Sequence, residues 1–252
     1  MSASNASTAP LADIVAEARR VAAAAAEART TVRITGGVAV HLNCPSAAEE
    51  PLARQYADID LVGRRGERQG ITSLMTSLGY EQDEVFNTLH GNARLFFWDK
   101  ANARQVDVFL DRVEMCHKIE LADRLGTGAT LSLADLLLMK LQIVETNRKD
   151  MLDMLALLLD HDFTAGDDGI DLAYLTELTA GDWGLWRTLT MVAERVDQFA
   201  RHLEGFDRRE RVHEQIRVFL GALEESPKSR GWKLRAKVGD RKRWYELPEE
   251  AR

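Results

Sequence analysis

The sequence predicts an α+β protein in which a mixed β-sheet with flanking helices is followed by a helical C-terminal domain. Short β-branched and aromatic runs alternate with helical stretches up to about residue 128, whereas leucine-rich stretches at helical spacing follow from Thr130. A chain of 252 residues suffices for one large domain or two small ones. We therefore expect a sheet-containing core over 1–128 and a helical domain over 129–252 with a basic, β-hairpin-like tail.

The first elements follow from local sequence signals. Residues 1–9 are small and polar, so we expect them to be frayed. Pro10 fits the first turn of a helix that runs to about Arg29. The run TVRIT is a short strand, and Gly36 and Gly37 end it and open another helix.

Alternating apolar positions predict further strands. After a loop CPSAAEEPLARQY, the run ADIDLVG reads as a strand, and ERQGITSLMTSLGY reads as a helix that ends at Gly79. The runs ARLFFWD and RQVDVFLD flank turn residues and predict a hairpin. A further extended segment, EMCHKIEL, completes the expected mixed sheet.

The C-terminal half is predicted to be helical. Two leucine-rich helices, capped by Ser132 and by Asn147, are followed by helices near 170–180, 184–204 and 207–224. The tail GWKLRAKVGDRKRWYELPEE places a Val-Gly-Asp turn between two β-like runs.

Composition excludes several classes of protein. A net charge of -7 gives no overall basic field to attract nucleic acid, although a local patch can do so. The two cysteines, Cys44 and Cys116, suit free thiols in a reducing compartment. The six histidines show no zinc-ligand spacing, and no apolar run reaches membrane-spanning length. We expect a cytoplasmic protein without zinc and without a membrane partner.

Carboxylates at strand positions point to metal-dependent chemistry. Asp58 and Asp60 lie two residues apart on a predicted strand, so the pleat sends both side chains to the same face. A third carboxylate on a neighbouring strand would complete a site for two Mg²⁺ ions roughly 3.5 to 4 Å apart. Asp107, between apolar residues of RQVDVFLD, is the candidate.

The glycine pair predicts a phosphate site. A strand that ends in Thr35, Gly36 and Gly37 and opens a helix leaves backbone amides available for a triphosphate. Each signal alone has an ordinary structural explanation, because paired aspartates are often solvated and a glycine pair is often a turn. Their order and context together favour the functional interpretation.

The runs TGGVAVHLN, RQYADIDLVG and QVDVFLD resemble the pattern of the DNA polymerase β nucleotidyltransferase superfamily. Residues 30–160 more narrowly resemble the nucleotidyltransferase-like toxins of abortive-infection systems, the AbiEii group. That resemblance implies functional roles for Lys140 and for Asp150 or Asp153, and Arg148 could contact phosphate beside Lys140. These charged residues could equally form helix surface pairs. The insertion CPSAAEEPLA lengthens the usual spacing between the glycines and Asp58.

The expected function is Mg²⁺-dependent transfer of a nucleoside monophosphate from a nucleoside triphosphate to a hydroxyl. The resemblance implies an RNA acceptor such as a tRNA end and a partner antitoxin. Two alternatives stay open: a small-molecule acceptor of the antibiotic type, and a non-catalytic nucleotide-binding module on the same fold. The basic tail, interleaved with Trp232, Trp244 and Tyr245, is either an RNA-binding segment or a solvated hairpin.

Overall fold

The computed structural model describes residues 9–166 and 168–247, so the segment 1–8 expected to be frayed lies outside the described residues. The described chain forms two compact units. The first unit comprises 9–39, Gln55–Val113 and Ile119–Leu131, and the second unit comprises Val40–Arg54, Glu114–Lys118 and 132–247.

This division differs from the expected one in three short segments: 40–54 and 114–118 belong with the helical unit, and 129–131 belongs with the first unit. Polar contacts explain the first of them. The backbone N–H of Ser46 donates to Asp160 Oδ2 at 2.8 Å, and Arg54 forms an ion pair with Asp153 at 2.8 Å. The insertion that lengthens the spacing before Asp58 is therefore part of the second unit's packing.

A five-stranded mixed sheet forms the centre of the first unit, as the sequence predicts. Its strands are β1 Val32–Thr35, β2 Asp58–Gly63, β3 Glu81–Gln82, β4 Arg94–Asp99 and β5 Arg104–Leu110. Their order is β1-β2-β5-β4-β3, in which β2 and β5 are parallel and the other neighbours are antiparallel. The hairpin predicted for ARLFFWD and RQVDVFLD is the β4-β5 pair.

The segment EMCHKIEL does not extend this sheet, contrary to expectation. It contributes to a separate pair formed by β6 Arg112–Glu114 and β7 Lys118–Glu120. Asp111, with φ of 63°, turns the chain immediately after β5, so the strand direction is broken there.

The first helices begin where side chains cap them. Helix α1, Ile14–Glu27, starts after Asp13, whose carboxylate accepts from the N–H of Ala16 at 2.7 Å. Pro10 therefore precedes the helix, contrary to the sequence-based expectation. The next helices are α2 Gly36–Asn43, α3 Arg68–Ser77 and α4 Glu84–His90, of which the sequence reading missed the last.

Five helices of the second unit agree with the sequence prediction: α5 Leu133–Leu141, α6 Arg148–Asp160, α7 Leu172–Gly181, α8 Trp183–His202 and α9 Arg209–Glu225. A further helix, α10 Arg230–Val238, was not predicted. Ser132 caps α5, and Asn147 forms a reciprocal capping box with Asp150 at the start of α6. The two short strands β8 Phe163–Thr164 and β9 Ile170–Asp171 pair with each other in parallel.

The tail is helical at 230–238, so the expected β-hairpin-like form of this segment is wrong. The Ser229 hydroxyl accepts from the N–H of Trp232 at 3.1 Å and begins α10. Gly239, with φ of 58°, follows the last helical residue, which is the usual place for a glycine that ends a helix. The Val-Gly-Asp sequence therefore marks a helix C-terminus. Among the helices in the described part of the chain, none combines the length and apolarity that a bilayer crossing requires.

Candidate functional site

The three predicted metal ligands of the first unit lie on two adjacent strands. Asp60 of β2 lies opposite Asp107 of the parallel strand β5, and Asp58 lies opposite Gln105 two positions earlier. Because side chains alternate along a strand, all three carboxylates belong to the same face of the sheet. Their solvent exposure decreases in this order: Asp58 is exposed, Asp60 is half-buried, and Asp107 is 7% exposed.

Burial and neighbouring charges act on the Asp107 carboxyl. The pKa of Asp107 is raised above its ordinary value mainly because burial penalises the charged form, and the negative charge of Asp58 adds to the rise. Arg94 opposes both effects by hydrogen bonding to Asp107. A carboxylate in this position is stabilised by any additional cation that approaches it.

Arg94 is a site residue that the sequence reading missed. It lies on β4, and its Nε donates to Asp107 Oδ1 at 2.6 Å. Its guanidinium also lies over the rings of Phe109 and Phe86, with distances of 5.0 and 5.8 Å to the ring centroids. The hairpin register supplies the signal that could have identified it, because Phe96 pairs with Asp107 and Arg94 is two residues away on the same face.

The carboxylates do not form a ready metal cage. Within residues 9–166 and 168–247, no three His, Cys, Asp or Glu side chains are grouped so that they could hold a metal ion. The donor chemistry nevertheless fits Mg²⁺, which prefers carboxylate and phosphate oxygens. Arg94 provides one positive charge next to Asp107.

The glycine turn lies directly against this carboxylate group. Gly36 has a φ of 66°, and a Cβ atom built on it would lie 2.1 Å from Asp60 Oδ2. Only a residue without a side chain leaves Asp60 in its place here. Gly37 is the next residue of α2, so both predicted glycines lie at the start of that helix.

Thr35 precedes the glycines and lies opposite Asp60 in the β1-β2 register. Thr35 is 4% exposed. Its hydroxyl oxygen is buried without a hydrogen-bond partner among the described residues. A buried hydroxyl with no partner is uncommon, because leaving it unpaired costs roughly 1–3 kcal/mol. Thr35 therefore offers an unused donor on the face that carries Asp60.

A second group of predicted residues lies in the second unit. Lys140, near the end of α5, places Nζ 2.9 Å from Asp150 Oδ1 and 2.9 Å from Asp153 Oδ2. Arg54 donates from Nε and from Nη2 to the two oxygens of Asp153, each at 2.8 Å. Two cations and two carboxylates thus balance each other, and we name Arg54, Lys140, Asp150 and Asp153 the charge cluster.

The charge cluster is shielded from solvent. Asp153 is 2% exposed. Burial lowers the pKa of Lys140, but the charges of Asp153 and Asp150 and their hydrogen bonds outweigh it, so the pKa is raised overall. Lys140 is therefore a permanently charged ammonium that is already neutralised within the protein.

The helix break at Asn147, on which this group depends, is confirmed. Helix α5 ends at Leu141 and α6 begins at Arg148, so Lys140 and Asp153 meet although they could not share one helix face. Arg148 is exposed, and its guanidinium lies over the ring of Phe199 at 5.6 Å. The proposed roles of Lys140, Arg148, Asp150 and Asp153 in nucleotide binding stay predictions.

The chain matches no known family model and no curated protein sequence. Solved structures similar to it include the antibiotic-resistance factor ANT(2'')-Ia, at 14% identity and a TM-score of 0.38 over 75% of this chain and 95% of that one. A proposed nucleotidyltransferase from H. pylori matches at 12% identity and a TM-score of 0.38, over 84% and 95% of the two chains. JHP933 from Helicobacter pylori matches at 12% identity and a TM-score of 0.41, over 88% and 95%.

Proposed function

We propose that this protein is a nucleotidyltransferase that moves a nucleoside monophosphate from a nucleoside triphosphate to an acceptor hydroxyl. The observation that carries the proposal is the register that sets Asp60 beside Asp107, with the Gly36 backbone against the Asp60 carboxylate. An acidic face next to a glycine-opened helix start combines metal-binding carboxylates with phosphate-binding amides. The sequence resemblance described above points to the same activity.

In this proposal Asp58, Asp60 and Asp107 would hold the two expected Mg²⁺ ions. Magnesium, when bound, neutralises phosphate charge and supports in-line displacement at the α-phosphorus. The acceptor oxygen forms a bond to that phosphorus, the bond to the β-phosphate oxygen breaks, and pyrophosphate leaves with the electron pair. The acceptor's proton passes to solvent.

The protein's own groups bind and orient the reactants. The backbone N–H groups of Gly36 and Gly37 contact phosphate oxygens, and the Thr35 hydroxyl donates its unused hydrogen bond on the same face. Arg94 holds Asp107 by one carboxylate oxygen. Most of the catalytic effect then comes from positioning and charge neutralisation.

The charge cluster and Arg148 enter the proposal through the resemblance. Lys140 and either Asp150 or Asp153 correspond by position to functional residues of the AbiEii group, and Arg148 adds an exposed guanidinium beside them. The same resemblance implies RNA, such as a tRNA end, as the acceptor and an antitoxin as partner protein. The alternative acceptor is a small molecule of the antibiotic type, and the following test distinguishes it from RNA.

Transfer of label tests the proposal. The protein is incubated with Mg²⁺, total RNA and each α-³²P-labelled nucleoside triphosphate in turn, and a parallel reaction contains aminoglycosides. We expect one acceptor to become labelled by the wild-type protein and the labelling to be abolished in Asp58→Ala. The matched control is Asp207→Ala, which removes an exposed carboxylate between α8 and α9 and should leave labelling unchanged.

A non-catalytic nucleotide-binding module is the second candidate function. The ion pair between Arg94 and Asp107 favours such a module, because Arg94 already neutralises a carboxylate that the enzyme would need as a metal ligand. Equilibrium binding of a fluorescent nucleoside triphosphate without transfer to any acceptor class would support the module. Loss of binding when Mg²⁺ is omitted, together with transfer, would support the enzyme.

A further inference from the structure

A cleft of about 870 Å³ lies in the second unit, along the C-terminal tail. Residues from 114–118 form part of its lining, and residues from 235–246 form the remainder. We name it the tail cleft. Its cationic and aromatic lining residues are Lys118, Arg235, Lys242, Arg243, Trp244 and Tyr245.

The tail concentrates positive charge in a protein whose net charge is -7. Between residues 228 and 243 the sequence contains eight Lys and Arg against one acidic residue, Asp240. Asp240 is already paired with Arg187, at 3.0 Å. Glu114 and Glu246 line the cleft and reduce its positive charge. The segment 228–243 nevertheless stays strongly positive. Such a local field attracts a polyanion even when the whole protein is acidic.

The cleft is held in shape by interactions within the second unit. Arg235 donates to the carbonyl oxygens of Gly239 at 2.8 Å and Lys242 at 2.6 Å, which fixes the turn after α10. The backbone N–H of Glu246 donates to the carbonyl of Cys116 at 3.0 Å and joins the two lining segments. A binding surface that is already organised loses less conformational freedom when a ligand binds.

The aromatic rings are also anchored. The indole N–H of Trp244 donates to Thr188 Oγ1 at 3.0 Å, and its ring meets that of Trp183 edge-on at 5.8 Å. Tyr245 packs edge-on against Trp244 at 5.3 Å, and the Arg243 guanidinium lies 4.8 Å from the centre of the Tyr245 ring. Tyr245 is half-buried, whereas Lys242 and Arg243 are exposed.

We propose that the tail cleft binds single-stranded nucleic acid, with Lys242 and Arg243 contacting phosphates and a base stacking on Tyr245. Exposed cations that follow a groove lined by aromatic rings are the usual means of binding unpaired strands. A membrane surface would instead require the aromatic residues on an outward apolar helix face. This inference concerns binding alone and does not depend on the carboxylates of the first unit.

Fluorescence anisotropy tests the proposal with the full-length protein. The probes are fluorescein-labelled 15-nucleotide oligo(U) and oligo(dT), which distinguish RNA from DNA, and a duplex of the same length. We expect either single strand to bind at least tenfold more tightly than the duplex. We also expect Lys242→Ala/Arg243→Ala to weaken binding at least tenfold and to reduce the slope of log affinity against log salt by about 1.4, from roughly 0.7 per phosphate contact.

Matched controls separate local charge from overall charge. Arg208→Ala/Arg209→Ala removes two adjacent exposed cations at the start of α9, outside the cleft, and should change affinity less than twofold. Tyr245→Leu leaves the charge intact and should weaken binding about fivefold or more through lost stacking. Asp58→Ala should bind the strands like the wild type, so a failure of the proposed transfer activity would leave this result unaffected.

Three outcomes would overturn the inference. Equal losses in the cleft variant and the α9 control would mean that only net charge matters. Unchanged binding in both Lys242→Ala/Arg243→Ala and Tyr245→Leu would remove the cleft from the interaction. Binding to phosphatidylserine vesicles with no binding to either strand would assign the basic tail to a membrane surface.

Discussion

Replacing Gly36 with alanine should abolish activity while leaving the protein folded. The new Cβ would lie 2.1 Å from Asp60 Oδ2 and 2.9 Å from Asp60 Cγ, closer than nonbonded carbon and oxygen atoms approach. The carboxylate would have to move by about 1 Å, and a misplacement of that size in a catalytic site can cost about 100-fold in rate. We therefore expect at least a 100-fold loss of nucleotidyl transfer.

The effect of Gly36→Ala on stability should be modest. Gly36 has a φ of 66°, where a residue with a Cβ atom costs roughly 1–2 kcal/mol relative to glycine. For a chain of this size the thermal midpoint should fall by about 2–8 °C. Because the displaced group is the end of a side chain, we expect the fold itself to survive.

Gly205→Ala provides the matched control. Gly205 has a similar φ of 74°, and a Cβ atom there would meet nothing within 4 Å. Both variants should therefore lose similar stability in thermal denaturation, but only Gly36→Ala should lose label transfer from the α-³²P nucleotide. Full activity in folded Gly36→Ala would show that the position of Asp60 is not critical, and equal losses of activity in both variants would attribute the effect to backbone strain.

Further predictions concern the buried charges. Arg94→Met should destabilise the protein by about 1–3 kcal/mol, below the cost of breaking a fully buried pair because the Arg94 side chain is 29% exposed. In that variant MgCl₂ should raise the melting temperature more than in the wild type, and an identical shift in both would argue against a metal at Asp107. Lys140→Met should cost about 3–5 kcal/mol in urea unfolding, because Arg54 alone then faces Asp150 and Asp153 and one buried negative charge is uncompensated, whereas exposed Lys149→Met should change stability by less than about 0.5 kcal/mol. Burial raises the pKa of the Cys44 thiol from 9.0 to about 12. Between these pH values the thiol ionises more readily in the unfolded chain, so the free energy of unfolding should fall as pH rises through that interval. Cys44→Ala should flatten this alkaline decline, and an unchanged slope between pH 8 and 11 would contradict the assignment.

The parts of the fold that local patterns encode were predictable. Strand β2 follows from alternating apolar residues in DIDLVG, and the capping residues Ser132 and Asn147 mark the starts of α5 and α6. These signals depend only on neighbours in the chain. The candidate residues Asp58, Asp60 and Asp107 followed from the same alternation together with the sequence resemblance.

What escaped prediction depends on contacts between distant residues or on misleading local patterns. The ion pairs Arg94–Asp107 and Arg54–Asp153 join strands or segments whose pairing no local pattern specifies. Helix α4, Glu84–His90, was missed because its seven residues are too few to show a repeating apolar stripe in the sequence. In the tail, alternating basic and apolar residues imitated a strand, although the Ser229 cap and Gly239 specify a helix.

The most direct measurement is a crystal structure of the protein with a nonhydrolysable nucleoside triphosphate and Mn²⁺, with the metals located by anomalous scattering. The account predicts that at least one Mn²⁺ lies within about 2.3 Å of oxygens from both Asp60 and Asp107 and of a phosphate oxygen, with the phosphates against the start of α2. Metal bound elsewhere, or Asp107 still paired with Arg94 and remote from every ion while the triphosphate is bound, would contradict it.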